Sequence, residues 1–241
     1  MKFVLVIITV FILFINFSVT ALAQIITVDR DGEVVWNVLS LESDNLELPK
    51  RTIEIKETSS IAPKALSQIS LLMDTEKITL AVDSGREKRE LELTGDNKNL
   101  LEIEERPETQ RVIIGVENEM FTLLQKGVVA TTSFPLTIDS KSAKISVTTL
   151  SGERFIVVLP YQAAESALRS KMVSIISYEK ALRLVEEENE LIYIVNGEKE
   201  LTFFNFYTHS FPVEGKISAL DGVVLNSNEP VWLKVLDFLF G

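Results

Sequence analysis

The 241-residue chain has no cysteine and only one histidine, and these absences exclude several kinds of protein. Without cysteine there is neither a disulfide nor a lipid-modified cysteine anchor. Zinc sites draw mainly on cysteine and histidine, so no zinc centre is expected. The single histidine, His209, would have to act as the base of a serine hydrolase, but the chain lacks the Gly-x-Ser-x-Gly elbow that presents such a serine.

Proline and glycine are also scarce, with 7 and 10 residues, whereas valine, isoleucine and leucine are abundant. Such a composition can bury a sizeable core, and the chain is therefore not predicted to be disordered. The formal net charge is −11 and is spread along the sequence. An acidic surface repels phosphate backbones and anionic headgroups, which argues against nucleic acid and anionic membrane surfaces as partners.

The most apolar part of the chain lies at its beginning. Lys2 is followed by a mostly apolar run over residues 3–15 and by a small-x-small ending at residues 21–23. These three parts are typical of a secretory signal peptide, which we predict over residues 1–23. The chain is therefore predicted to be exported, to the periplasm, the cell envelope or the exterior. The small residues favour cleavage after Ala23, and the alternative is an uncleaved N-terminal membrane anchor.

From residue 24 onward, apolar and polar residues alternate with a period of two, which indicates β-strands with one buried face. About eight such segments precede residue 160, separated by turn signals. The fold class predicted is mainly β, an antiparallel meander arranged as a sandwich or a half-barrel. Four glycine-containing dipeptides mark predicted hairpin turns: Asp31-Gly32, Ser151-Gly152, Asn196-Gly197 and Asp221-Gly222.

The last third of the chain departs from this pattern. Pro160 ends a strand, and residues 161–172 are predicted to form a helix. Residues 178–189 fit either a helix or a strand, and their bounding turns favour a strand. Pro230 begins a predicted short C-terminal helix. The apolar face of the helix at 161–172 is formed by Ala163, Ala164, Ala167, Leu168 and Met172.

This pattern divides the chain into a signal peptide (1–23), an antiparallel β region (24–159) and a region of helix, hairpins and terminal helix (160–241). The third region is predicted to pack on the second. Because no Pro/Gly/Ser-rich linker separates them, two interpretations stay open, namely one continuous domain or two abutting domains.

No group of residues has the spacing that catalysis or metal binding requires. Residues 29–33 and 95–99 lack the full pattern of a calcium loop and are predicted to be turns. Glu102 and Glu104 share a strand face, as a glycosidase pair would, but this is the polar face, where solvent exposure is the ordinary state. We therefore predict no catalytic residues, no metal and no cofactor, and interpret the protein as a non-enzyme.

Aromatic residues form the one candidate ligand or partner surface. Phe204, Phe206 and Tyr207 lie in a strand with aromatic residues on both faces. Such a strand is either buried on both sides or leaves one face open to a ligand or partner. Trp232 lies on the apolar face of the predicted terminal helix, which either docks on the sheet or lies in a membrane interface.

Residues 216–225 form a strand, the Asp221-Gly222 turn and a second strand, and they follow the helix at 161–172. This order is similar to the end of PepSY-type modules. The resemblance implies an exported module associated with peptidase inhibition or with the cell envelope. The whole chain also resembles uncharacterised signal-peptide-bearing bacterial envelope proteins, which implies a location and no activity.

These observations favour a protein that acts by binding or structural association at the cell envelope, with an envelope protein or an apolar ligand as partner. The alternative is a carrier of an apolar small molecule or lipid, held between a curved sheet and the helix at 161–172. A deep half-pipe would favour the carrier, and a flat sandwich would favour the binding module. A hydrolase that uses carboxylates is a third interpretation.

The export prediction is tested by the N-terminus of the protein recovered from cells. Cleavage after Ala23 yields a chain that begins at Gln24 and lacks the apolar run. N-terminal sequencing of envelope and extracellular fractions identifies this form. An intact Met1 throughout the exported material would show that the segment is retained.

Overall fold

The computed structural model describes residues 24–37, 67–74, 77–85, 87–107, 109–176, 181–203 and 207–228. These residues form seventeen strands and one helix, so the mainly β fold predicted from the alternating pattern is confirmed. The helix predicted near residues 161–172 is present as α1 (Pro160–Arg169). The predicted signal peptide, the C-terminal helix and a strand predicted at residues 51–57 lie outside the described residues.

In chain order the strands are β1 (Ile26–Val28), β2 (Val34–Trp36), β3 (Gln68–Asp74), β4 (Lys77–Asp83), β5 (Lys88–Thr94), β6 (Asn97–Ile103), β7 (Val112–Glu117), β8 (Met120–Gln125), β9 (Val128–Thr132), β10 (Leu136–Asp139), β11 (Ile145–Thr149), β12 (Gly152–Ile156), β13 (Ile175–Ile176), β14 (Leu182–Glu187), β15 (Glu190–Phe203), β16 (Tyr207–Ser218) and β17 (Val224–Asn228).

Eleven of the described strands form sheet A, in the order β17-β16-β15-β14-β9-β8-β7-β6-β1-β2, with β13 paired to β15. Most neighbours are antiparallel, but β1 pairs with β6 and β14 with β9 in parallel. The sheet is therefore mixed, which corrects the expectation of a purely antiparallel meander. The β9–β14 pair joins strands from either side of residue 160, so sheet A continues across the boundary between the predicted regions 24–159 and 160–241.

Sheet B contains the other six described strands, in the order β12-β11-β10-β3-β4-β5, and all of its pairs are antiparallel. The chain enters this sheet twice, first through β3 to β5 and again through β10 to β12. The meander expected over residues 24–159 is thus divided between two layers. Strands β3 and β10 were not predicted, because the apolar residues Leu71 to Met73 interrupt the alternation in β3 and β10 is only four residues long.

One cluster of buried apolar side chains joins both sheets and α1. Leu80 and Val147 from sheet B and Leu123 from sheet A are fully buried in it. The two sheets therefore share one core, which is the arrangement of a sandwich. The helix adds Ala163 and Ala167, whose small side chains allow it to lie directly on strands of sheet A.

One residue of the predicted helix face is not buried. Leu168 is 38 % exposed, while Met172, which lies beyond the end of α1, is buried. The chain leaves the helical path after Arg169, so the period of 3.6 residues no longer decides which residues face the sheet. Met172 packs instead against Gly215 of β16, where a Cβ would collide with its sulfur.

Three of the predicted hairpin turns are confirmed. Gly32 and Gly222 lie in the turns between antiparallel partners, and Gly152 begins β12 directly after its turn; their φ values are 84°, 76° and 118°. In the first turn, Asp29 Oδ1 accepts hydrogen bonds from the backbone N–H groups of Asp31 and Glu33. The carboxylate therefore closes the turn at 29–33, as the sequence predicts for this residue type.

The hairpin predicted at Asn196-Gly197 is wrong. β15 continues through these residues, with Asn196 opposite Glu214 and Gly197 opposite Val213 of β16. Gly197 serves a different purpose, because a Cβ there would lie 2.6 Å from the carbonyl oxygen of Ile175 in β13. The reversal occurs earlier, at Glu188 and Asn189, which have φ values of 50° and 65°.

Substitutions at these two positions test the continuous strand. Gly197→Ala is expected to lower the free energy of unfolding by about 2 kcal/mol, because its methyl group must displace the Ile175 carbonyl. Asn196→Val is the matched control and is expected to change it by less than about 0.5 kcal/mol, because a β-branched residue suits a strand. Urea unfolding measures both values.

The opposite result would support the turn. A two-residue hairpin turn requires positive φ at its central residues, where a β-branched side chain is strained. A larger loss of stability for Asn196→Val than for Gly197→Ala would therefore contradict the paired register of β15 and β16.

Candidate binding cleft

A cleft of about 610 Å³ opens at one end of the sandwich, at the free edge of sheet B and beside the start of α1. We name it the end cleft. Sheet A contributes the β6–β7 loop and the end of β8, and sheet B contributes the residues before β11 and the end of β12. The lining residues are Glu105, Arg106, Pro107, Thr109, Gln110, Gln125, Ser142, Ala143, Lys144, Ile145, Phe155, Ile156, Val157, Leu159, Gln162 and Leu220.

One wall of the end cleft is apolar and exposed. Phe155, Val157 and Leu220 have exposed fractions of 56 %, 58 % and 65 %. The first two protrude because Ile156 between them points into the core, and side chains alternate along a strand. β12 is also the last strand of sheet B, so its outer edge has no strand partner in the described part of the chain. Exposed apolar side chains in a concave site are typical of a surface that binds something.

The residues that follow β12 are held firmly in place. The backbone N–H groups of Val157 and Val158 both donate to the carbonyl oxygen of Ala219, at 3.1 and 2.9 Å. The hydroxyl of Tyr193 donates to the carbonyl of Val158 at 2.9 Å. Tyr193 is fully buried, and burial raises the pKa of its phenol far above the usual value, so the hydroxyl stays protonated and remains a donor. This wall of the cleft is therefore preorganised.

Glutamine side chains connect the end cleft to the first turn of α1. Gln125 accepts a hydrogen bond from the Tyr161 backbone N–H at 3.1 Å, and its amide nitrogen donates to Gln110 at 3.3 Å. Gln162 accepts from the Leu159 backbone N–H at 2.9 Å. The side-chain amide nitrogens of Gln110 and Gln162 make no hydrogen bond within the described ranges, so both are available as donors to a ligand.

Arg106 closes the opposite side of the cleft. Its guanidinium donates to the carbonyl oxygens of Asp29, Ser140 and Lys141 at 2.7 to 2.8 Å, which ties the β1–β2 turn to the β10–β11 turn. Gly32 permits this approach, because a Cβ there would lie 2.9 Å from the Ser140 carbonyl oxygen. Arg106 therefore holds the two sheets together at this corner of the sandwich.

A carboxylate fixes the other end of the β11–β12 hairpin. The hydroxyls of Ser151 and Thr149 donate to Glu186 of β14. These hydrogen bonds favour the charged form, with that from Ser151 the strongest, and lower the pKa of Glu186. Ser151, Thr149 and Glu186 therefore tie the tip of the β11–β12 hairpin to β14.

The residues considered as catalytic candidates make contacts with neighbouring side chains. Glu102 forms an ion pair with Arg111, and Glu104 lies 3.9 Å from Arg30. The ring of His209 packs edge-on against Phe211 with centroids 4.6 Å apart. Within the described ranges, no three His, Asp or Glu side chains lie close enough together to hold a metal ion. In the same ranges, no helix has the length and apolarity needed to cross a bilayer.

The ligand or partner surface predicted at Phe204, Phe206, Tyr207 and Trp232 stays a prediction. Phe204, Phe206 and Trp232 lie outside the described residues, and Tyr207 begins β16 opposite Phe203. The exposed wall of the cleft was not predicted from the sequence. Its signal was the run of five apolar residues at 155–159, which breaks the apolar–polar alternation and places large apolar side chains on the exposed face of β12 and of the residue after it.

Comparison with known proteins gives no relative: no protein-family model, no curated protein and no solved structure matches the chain. The resemblance to PepSY-type modules therefore stays a prediction, and the function has to be argued from the cleft itself.

Tyr193→Phe tests how the cleft wall is held. The substitution keeps the ring and removes the hydroxyl, which leaves the buried Val158 carbonyl without its donor. We expect the free energy of unfolding to fall by about 1 to 2 kcal/mol in urea unfolding. Tyr161→Phe is the control, because the Tyr161 hydroxyl makes no hydrogen bond in the described part of the protein.

The same pair of variants gives a pH test. The folded pKa of Tyr193 is raised, so its contribution to stability is complete below the unfolded phenol pKa of about 10 and falls as the pH rises above it. Stability should therefore decline less steeply above that pH in Tyr193→Phe than in the unsubstituted protein. Equal alkaline slopes in both proteins would contradict burial of the neutral phenol.

Proposed function

We propose that the protein is an exported, non-enzymatic binding protein that associates with a partner at the cell envelope through the end cleft. The observation that carries this proposal is the exposed apolar wall formed by Phe155, Val157 and Leu220. Export is supported by the signal-peptide pattern of residues 1–23.

The packing of the core supports binding at a surface cleft over enclosure of a ligand beneath the helix. Ala163 and Ala167 are fully buried against sheet A, so the space between helix and sheet is already filled. A carrier of an apolar small molecule is the second candidate function. It is favoured by the volume of the end cleft, about 610 Å³, which lies within the usual range for small-molecule sites. In that case the ligand lies in the end cleft, not under α1.

Site-specific photo-crosslinking in intact cells tests the proposal. A benzophenone amino acid replaces Val157 in the end cleft, and in a matched control it replaces Leu150. Both side chains are exposed and apolar, but Leu150 lies at the tip of the β11–β12 hairpin, away from the cleft. We expect a discrete adduct in the envelope fraction from position 157 only, since only that position lies within reach of a bound partner.

A second substitution makes the result specific to the cleft. Phe155→Ser in the same protein is expected to reduce the adduct from position 157 several-fold, because it removes a neighbouring apolar contact. Equal adducts from positions 150 and 157, or an adduct that Phe155→Ser leaves unchanged, would argue against binding through the end cleft.

A further inference from the structure

We infer that the end cleft binds a single-chain amphipathic monoanion, that is, an apolar tail with one negatively charged head group. This inference rests on the second candidate function, a carrier of an apolar small molecule, and names the class of ligand for the same cleft. It follows from the position of one lysine beside the exposed apolar wall.

The register of sheet B places this lysine. Ile145 lies opposite Ile156, and Ser146 lies opposite Phe155, in the antiparallel β11–β12 pair. Continuing the register by one residue brings Lys144 opposite Val157. Directly opposed residues share a face of the sheet, so Lys144, Phe155 and Val157 lie together on its outer face. The ammonium group of Lys144 is therefore on the same face of the sheet as two exposed apolar side chains.

The Lys144 ammonium has no carboxylate partner among the described residues, and the residue is exposed. Most other lysines near a strand are paired: Lys77 with Glu92, Lys88 with Glu90, and Lys98 with Glu117. An anionic head group at Lys144 would gain a charge-assisted hydrogen bond, with further donors from the amide nitrogens of Gln110 and Gln162.

The charged residues that line the cleft favour a negatively charged ligand. The whole chain has a net charge of −11, whereas the charged residues lining the end cleft are Arg106, Lys144 and Glu105. The local balance is therefore positive on a negative protein, which favours an anion over a cation in this cleft. The surrounding negative charge opposes a second negative charge on the ligand, so a monoanion fits better than a dianion.

The same charge favours a free monomer over a lipid held in a bilayer. Reaching a lipid in an anionic membrane would bring the acidic surface of the protein against negative headgroups, which is unfavourable. A dissolved amphiphile avoids this repulsion. Its tail can cover Phe155, Val157 and Leu220 while its head group contacts Lys144.

Calorimetric titration of the purified full chain tests the inference. The probes are dodecanoate and dodecyltrimethylammonium, each below its micelle concentration, and dodecanol below its solubility limit. Dodecanoate is expected to bind at least tenfold more tightly than dodecyltrimethylammonium, since only the anion can pair with Lys144. Decanoate is expected to bind roughly tenfold more weakly than dodecanoate, because it buries two fewer methylene groups.

Two pairs of variants locate the site. Lys144→Gln is expected to weaken dodecanoate binding about tenfold and to leave dodecanol unchanged, whereas Lys171→Gln, an exposed lysine outside the cleft, leaves both unchanged. Phe155→Ser is expected to weaken dodecanoate and dodecanol alike, and Leu150→Ser neither. Unchanged thermal unfolding of each variant shows that the fold is retained.

Several results would overturn the inference. These are no binding of dodecanoate, equal binding of the anion and the cation, or dodecanoate binding that Lys144→Gln leaves unchanged. If the protein bound vesicles that contain phosphatidylglycerol but did not bind monomeric dodecanoate, the ligand would be a lipid in a bilayer and not a dissolved monomer. The cross-linking result at position 157 is independent of these titrations, so the proposed function stands or fails separately from this ligand class.

Discussion

The apolar layer shared by the two sheets is the interaction on which the structure depends. A chain without cysteine has no disulfide to restrict its unfolded state, so burial has to offset the loss of conformational entropy. Sheet A and sheet B each present one apolar face, and neither face could remain exposed to water. Arg106 and Tyr193 then fix the positions where the layers meet, because each places a side-chain donor on backbone carbonyls that strand pairing leaves free.

The end cleft is a consequence of how the chain changes layers. β12 is the last strand of sheet B, and α1 lies on sheet A, so residues 157–159 have to cross from one layer to the other. At this crossing the two sheets no longer cover each other. The alternation of β12 continues into it, which leaves Phe155 and Val157 outside the core while Ile156 and Val158 are buried. The cleft is rigid because Ala219 and Tyr193 hold the crossing in place.

Local features of the fold could be predicted from the sequence, and its long-range arrangement could not. Period-two alternation identified strands, and glycine after aspartate or serine identified three of the turns, because these signals depend on neighbouring residues only. The division of strands between two layers depends on pairs far apart in the chain, such as β14 with β9. The hairpin turn predicted at Asn196-Gly197 was wrong for the same reason. Gly197 makes room for β13, and this contact cannot be predicted from neighbouring residues. The cleft was not predicted because its lining residues come from five separate segments of the chain.

The two strands at the ends of sheet B, among the described strands, differ in their exposed residues. Natural sheets protect their edge strands with charged residues, since an unpaired edge can bind another strand. β5 follows this rule with Lys88, Arg89, Glu90 and Glu92 within seven residues. β12 also carries two charged residues, Glu153 and Arg154, but it ends in Phe155 and Ile156 and continues into Val157, although a polar residue at 155 or 157 would leave the core intact. Solubility alone would favour polar residues at both positions. Their apolar character beside Lys144 is the feature on which the proposed ligand binding rests.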